Sequence, residues 1–322
     1  MTALILAIPS KGRLQEQVVR YLADAGFALN QTAGARDYRA TLDGMPDVEV
    51  QLLSAADVAA ALAGGDVHLG ISGEDLIRES GRVAGGSVAL LQPLGFGLAN
   101  VVVAVPRLWI DVATMADLDD VCTAFHARHH RRLRVATKYM GLTRMFFAEH
   151  GIGDYRIVES LGATEGAPAA GTAEAIVDIT TTGTTLAAND LKILDDGVIL
   201  KSQAQLAASA CATWSGAALA AAEQLTARIA ARELARNSHI LHARIEDNRA
   251  LDALGVLGCT VMSSPPKGAA GEYGILCPRL RLMEAIAVLR AHGEGAAMVH
   301  ELEYAFADSN PILERLAAAL RA

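Results

Sequence analysis

The chain has 322 residues, with 28 Lys plus Arg against 36 Asp plus Glu and a formal net charge of −8. Hydrophobic residues make up 52%, charged residues 20% and aromatics only 4%; this surplus of small aliphatic side chains excludes disorder for the bulk of the chain. The acidic balance excludes a dedicated nucleic-acid binder, which needs a basic face to release counterions.

Length predicts two or three domains. Cys122, Cys211, Cys259 and Cys277 stand far apart with no CxxC pair, so they read as reduced thiols of a cytoplasmic protein, not a disulfide framework or zinc site. Residues 1–9 carry no basic n-region and their apolar run stops at Pro9, the mark of a buried strand and not a signal peptide. Two long uncharged stretches, 83–106 and 202–222, are broken by Gly, Pro and Asn or dominated by Ala and Ser. Neither has the sustained apolar density of a membrane span, and a soluble protein is expected.

In chain order, residues 4–8 read as a strand, followed at once by Ser10-Lys11-Gly12-Arg13 and a helix to about residue 25. A strand at 48–53, a short helix at 55–63 and a strand at 67–72, closing on Gly73-Glu74-Asp75, complete a βαβ order. A second block has strands at 101–105 and 133–137, a helix over 143–150, and strands at 156–161 and 174–179. This order predicts two α/β lobes with the chain crossing between them near residues 100 and 185. Ligands of such sheets collect at the carboxyl ends of strands, which puts weight on the loops after Ile8, Ser72 and Ile179. An Ala-rich helix over 217–236 then leads to strands, helices and strands at 239–245, 247–257, 259–263, 273–277, 279–292 and 297–306, the βαββαβ layout of a ferredoxin-like module.

The strongest chemical signal is the run 178–185, Asp178-Ile179-Thr180-Thr181-Thr182-Gly183-Thr184-Thr185. An acidic residue at a strand end, then hydroxyls and backbone N–H groups around one glycine, can cradle a phosphate, more so if a helix starts near Leu186. A plain N-cap with spare threonines is the alternative, although a cap needs fewer of them. Lys11 and Arg13 flank Gly12 at the start of the first helix, where cations oppose the helix dipole unless an anion is bound; a solvated turn is the other reading. Lys138 and Tyr139 follow a strand in the same way. Arg36 and Arg39 form a further cationic patch around Tyr38, while His129, His130, Arg131 and Arg132 read as solvated and not as metal ligands. No Walker loop, nucleophile triad, zinc motif or dinucleotide fingerprint is present, so a chemistry without a covalent nucleophile, acting on a heavily phosphorylated substrate, is favoured.

Lys11-Gly12-Arg13-Leu14, residues 66–75 (DVHLGISGED), 135–144 (VATKYMGLTR) and 175–189 (AIVDITTTGTTLAAN) resemble the motifs of the ATP phosphoribosyltransferases, the first enzymes of histidine biosynthesis. The resemblance covers about residues 4–210. It implies two periplasmic-binding-protein-like lobes, one from 1–100 with 186–215 and one from 101–185. A connecting helix at 216–236 and a C-terminal ferredoxin-like domain at 237–322 would follow. It also implies the reaction: N1 of the ATP adenine displaces pyrophosphate from C1 of phosphoribosyl pyrophosphate, with Mg²⁺. By motif position, Lys11, Arg13 and Arg36 would be the catalytic cations facing pyrophosphate and ATP phosphates. Gly12, Gly73, Asp75, Lys138, Tyr139, Asp178, Thr181, Thr182, Gly183, Thr184 and Thr185 would bind substrate, the run from Asp178 taking the ribose and 5′-phosphate.

The chain departs from the family at Ser54, where members commonly carry an arginine that assists the leaving group; Arg36 and Arg39 are the nearest replacements in sequence. The tail has the length of long-form members, whose C-terminal domain binds histidine for feedback inhibition, but no close motif match there. Short forms lack it and need a non-catalytic partner related to a tRNA synthetase. A cytoplasmic homo-oligomer, dimer or hexamer, is expected. The competing readings are a two-lobed intracellular protein that binds these ligands without turning them over, and a phosphoribosyltransferase acting on another base.

Overall fold

A computed structural model of the protein describes residues 4–31, 38–81, 83–160, 162–266, 271–293 and 296–321, and the chain divides into two compact units. The first unit comprises Met1–Tyr21, Ala28–Leu219 and Arg315–Ala322. It begins with β1 (Leu4–Pro9), α1 (Gly12–Asp24), β2 (Leu29–Gln31), β3 (Arg39–Leu42), β4 (Met45–Leu53), α2 (Ala55–Gly64), β5 (Leu69–Gly73), α3 (Glu74–Glu79) and β6 (Val88–Pro93). It continues with β7 (Ala99–Pro106), α4 (Met115–His129), β8 (Leu133–Thr137), α5 (Met140–Glu149), β9 (Tyr155–Glu159), β10 (Ala175–Thr180), the short α6 (Thr184–Ala188), β11 (Leu191–Ser202) and β12 (Ala204–Ser209).

These strands form two sheets, hence two lobes. The first has the order β2-β3-β4-β1-β5-β12-β6 and the second β11-β7-β10-β8-β9. The near-continuous apolar run Leu-Ile-Leu-Ala-Ile makes β1 a central strand, parallel to both β4 and β5 and covered on both faces. Helices α2 and α3 close one face of this sheet with Val58, Leu62 and Ile77 against Ala7 and Val88. In the second lobe Val101, Val103, Val105, Leu133, Val135 and Val177 alternate inward and pack with Tyr139 and Phe147. Strand β10 runs parallel to β8, so the loops after Thr137 and Thr180 emerge at one edge, as the loops after Pro9 and Gly73 do in the first lobe.

The expected return to the first lobe at residue 185 is corrected. Strand β11 pairs antiparallel with β7 and belongs to the second sheet, and the chain re-enters the first sheet only with β12, beside β5. The lobe assigned to 101–185 therefore runs from β7 through β11. Ser54, at the position of the family arginine, caps α2: its hydroxyl accepts from the Asp57 backbone N–H at 3.1 Å and donates to the Asp57 carboxylate at 2.6 Å. The expected helix over 143–150 begins at Met140 instead. Arg36 lies outside the described residues.

The second unit comprises Leu22–Phe27 and Ala220–Glu314. Its elements are most of α7 (Gly216–Arg236), then β13 (Ser238–Ile245), α8 (Asn248–Val256), β14 (Thr260–Ser263), β15 (Gly271–Pro278), α9 (Leu282–Ala291), β16 (Ala297–Glu301) and the start of α10 (Pro311–Ala319). The strands make an antiparallel sheet in the order β14-β15-β13-β16. Leu241, Ala243, Ile245, Ile275 and Cys277 bury one face against Ala250, Leu254, Ala285 and Leu289 of the helices. The assignment of 237–322 to the tail is revised at both ends. Arg228 holds residues 22–27 by donating to the Gly26 carbonyl at 2.7 Å and covering the Phe27 ring. Residues 315–322 belong with the first unit, where Arg315 donates to the Leu91 carbonyl and to Gln92. Among the described residues no helix is long and apolar enough to cross a membrane.

Candidate active site

A cleft of about 620 Å³ opens between the two lobes of the first unit. Arg13, Gly73 and Asp75 line it from the first lobe, Lys138, Tyr139 and Thr181 from the second, and the crossover loop Gly95-Phe96-Gly97-Leu98 closes one side. Each side chain is delivered by the carboxyl end of a strand: Arg13 after β1, Asp75 after β5, Lys138 after β8, Thr181 after β10. That is where parallel α/β sheets present ligand sites, because backbone N–H groups are left unpaired there.

Arg13 lies in the first turn of α1, a turn without a single acidic residue. Lys11 and Arg13 make no ion pair among the described residues. A cation at a helix N-terminus is unfavourable without an anion nearby, so this end of the cleft is built for negative charge. Lys11 and Gly12 sit at the same helix start, outside the cleft lining. Lys138 approaches the Tyr139 ring at 4.9 Å, and its charge acts to lower the Asp178 carboxyl, which burial pushes up overall.

The base of the cleft is a buried network. Tyr139 donates its hydroxyl to Asp75 Oδ2 at 2.7 Å, and Ser202 donates to Asp75 Oδ1 at 2.8 Å while accepting from the Asp75 backbone N–H at 3.1 Å. Burial, then the neighbouring Asp75 charge, push the Tyr139 phenol far above its ordinary range; it stays a hydrogen-bond donor and is no base. Gly73 is required beside this network, since a Cβ there would stand 2.4 Å from Asp75 Oδ1.

The threonine loop divides its hydroxyls. Thr180 accepts from the Gly183 N–H at 2.8 Å and Thr182 shares a 2.8 Å bond with Thr184, so these three shape the loop. Thr181 turns to the cleft, donating weakly to the Leu98 carbonyl at 3.5 Å. Gly183 has φ +74°, a left-handed conformation that lets α6 begin at Thr184, two residues before the expected start. Asp178 accepts from its neighbour's N–H at 2.8 Å; Asp178, Thr182, Gly183, Thr184 and Thr185 are not among the residues that line the cleft.

Four basic residues outside the cleft lining, Arg39, Arg131, Arg132 and Arg134, pair with carboxylates. Arg131 and Arg134 pair with Glu174 at 3.1 and 2.8 Å, and Arg132 approaches Asp154 at 3.8 Å; Arg131 and Arg132 are solvent-exposed as expected and also pair with these carboxylates. Burial pushes the Glu174 carboxyl up, but hydrogen bonds from Arg134 and Arg131 outweigh it and hold the group down at about 2. Arg39 pairs with Glu49 at 3.6 Å and does not line the cleft. Sequence reasoning missed Ser202, Gln17 and the crossover loop and quoted Leu14 only as part of a motif; for the loop, the paired glycines of Gly95-Phe96-Gly97 were the available signal.

Comparison with known proteins identifies the family. The ATP phosphoribosyltransferase family model matches residues 54–231. An ATP phosphoribosyltransferase of Rhodopseudomonas palustris (strain BisB18) is 52% identical, covering 99% of both chains, and that of strain HaA2 is 53% identical over 100% of both. The enzyme of Nitrobacter winogradskyi is 52% identical over 99% of both. A solved ATP phosphoribosyl transferase (HisG:HisZ) complex from Thermotoga maritima is 27% identical, covering 64% of this chain and 87% of that one, with a TM-score of 0.49. With about half of all residues shared from end to end, the chain belongs to the ATP phosphoribosyltransferase family and catalyses the transfer of a phosphoribosyl group from phosphoribosyl pyrophosphate to ATP in histidine biosynthesis.

Proposed function

We propose that the inter-lobe cleft holds phosphoribosyl pyrophosphate, with Arg13 and Lys138 as the cations that meet the leaving pyrophosphate. The observation that carries this is the delivery of Arg13 from one lobe and Lys138 with Thr181 from the other into a single cavity. The bond from C1 of the ribose to pyrophosphate oxygen breaks, and a bond from C1 to N1 of the adenine forms. Positive charge grows on the sugar and negative charge on the departing oxygen, so preorganised cations beside that oxygen lower the barrier more than they tighten ground-state binding. Asp178, with the threonine loop, takes the ribose and 5′-phosphate; Asp178 keeps an oxygen for a ribose hydroxyl after serving the Ile179 N–H. Lys11 and Gly12 extend the cationic end toward the ATP phosphates. Arg36 is proposed for the same role on motif position alone, and with Ser54 engaged in capping α2 the charge of the family arginine falls to Arg13, Lys11 and Arg36.

The donor set fits Mg²⁺ carried on the substrate. Among the described residues no cluster of three or more His, Cys, Asp or Glu could cage a metal ion, and Mg²⁺ commonly binds through one or two carboxylates together with substrate phosphates. Asp178 is the carboxylate available, because both Asp75 oxygens already accept hydrogen bonds. When bound, the ion supplies charge neutralisation on the pyrophosphate.

The C-terminal unit is proposed to be ferredoxin-like and regulatory, taking histidine as feedback inhibitor. Its βαββαβ order and the strand order β14-β15-β13-β16 support the fold. A cytoplasmic location is supported by four free cysteines. Assembly into a homo-oligomer, dimer or hexamer, is supported by the exposed apolar pair Leu108 and Ile110, 86% and 83% accessible. Initial-rate measurement on the full-length chain tests the regulatory part: saturating histidine should lower turnover about fivefold or more, the usual size of allosteric coupling. Rates independent of histidine would remove the regulatory assignment and leave the transferase intact.

A further inference from the structure

The short helix α3 belongs to the first lobe, yet its side chains grip the second. Asp75 accepts from Tyr139, and one turn further on Glu79 accepts from two backbone N–H groups at the start of α5: Gly141 at 2.7 Å to Oε1 and Leu142 at 3.0 Å to Oε2. Between them Leu76 packs against the core of the second lobe. The first turn of a helix leaves N–H groups unpaired and carries partial positive charge, so a carboxylate held by two of them is a charge-assisted, two-point attachment. These bonds cap α5 at its start, Met140, three residues before the expected one. Lys138 lies two residues ahead of that start. Any shift of the α5 terminus therefore moves the second lobe's cation relative to Arg13.

We propose that Glu79 is a positioning residue for phosphoribosyl transfer. Its carboxylate fixes the start of α5, and through it Lys138, at a set distance across the cleft from Arg13. This rests on the reading that the cleft holds phosphoribosyl pyrophosphate. A substrate gripped from both lobes is bound well only when the spacing between the two walls is held; a loosened spacing weakens its binding before it alters the chemistry. An ordinary helix cap would contribute to stability alone.

The test uses full-length wild type, Glu79→Ala and Glu79→Gln, with the dissociation constant for phosphoribosyl pyrophosphate measured by calorimetry and KM and kcat measured separately. The glutamine carbonyl can accept from one of the two N–H groups but carries no charge, so a graded series is expected. Glu79→Ala should raise both Kd and KM about tenfold and Glu79→Gln about threefold, as fits the loss of charged and neutral hydrogen bonds respectively. Wild-type Kd and KM in both variants, with kcat lowered only in proportion to the folded fraction, would show a structural cap and overturn the proposal. If Glu79→Ala fails to fold, the Glu79→Gln values decide alone. Failure of the wild type itself to bind phosphoribosyl pyrophosphate would overturn the underlying reading of the cleft, and this proposal with it.

Discussion

Arg13→Ala is expected to lower kcat by about 10²–10³, the usual effect of removing one preorganised group that stabilises transition-state charge. Arg13 lines the cleft from an α1 first turn that holds no carboxylate, so no acidic residue of its own turn neutralises it. Because the leaving oxygen gains charge only as its bond to C1 breaks, the loss should fall on kcat more than on KM. Arg13→Lys keeps the charge but not the two-pronged geometry and should lie between the wild type and the alanine variant. A kcat unchanged in Arg13→Ala would remove this residue from the leaving-group site. The cationic role would then pass to Lys138 or Lys11.

Gly73→Ala should cost about 10² in kcat/KM through displacement of groups at the cleft base, although it adds a single methyl group. That methyl would stand 2.4 Å from Asp75 Oδ1. A flexible carboxylate could swing away, but this one is 5% exposed, and Ser202 and Tyr139 hold its two oxygens. Moving it breaks two buried bonds, both to residues of the second lobe, and leaves a polar group unsatisfied, a destabilisation of about 1–3 kcal/mol that a urea midpoint would register. Unaltered kinetics together with an unaltered midpoint would mean that the Asp75 network plays no part in shaping the cleft.

The loops proposed to bind anions were legible in the sequence because each is local. Ser10-Lys11-Gly12-Arg13, Lys138-Tyr139 and the threonine run all follow short, mostly apolar strands, and the structure brings Arg13, Gly73, Asp75, Lys138, Tyr139 and Thr181 to one cavity. What stayed hidden depends on contacts remote in the chain. Ser202 and Gln205 meet Asp75 and Glu74 across more than a hundred residues, and no spacing rule predicts such a meeting. The second crossing was misplaced because β11 contains Asp195-Asp196 and two register shifts against β7, which interrupt the apolar alternation that marks a strand. The start of α5 is capped by Glu79, a residue of another element, and the short strands β2 and β3 carry too few apolar residues to be read alone. Ser54 shows the opposite case: its departure from the family pattern was plain in sequence, but its use as a cap for α2 needed the structure.

The most direct measurement incubates the purified full-length protein with ATP, phosphoribosyl pyrophosphate and Mg²⁺ and follows the products by mass spectrometry. Phosphoribosyl-ATP and pyrophosphate should accumulate in equal amounts, with both formed about 10²–10³ times more slowly in the Arg13→Ala variant. Tight binding of both substrates with neither product formed would contradict the account and mark the chain as a two-lobed binding protein.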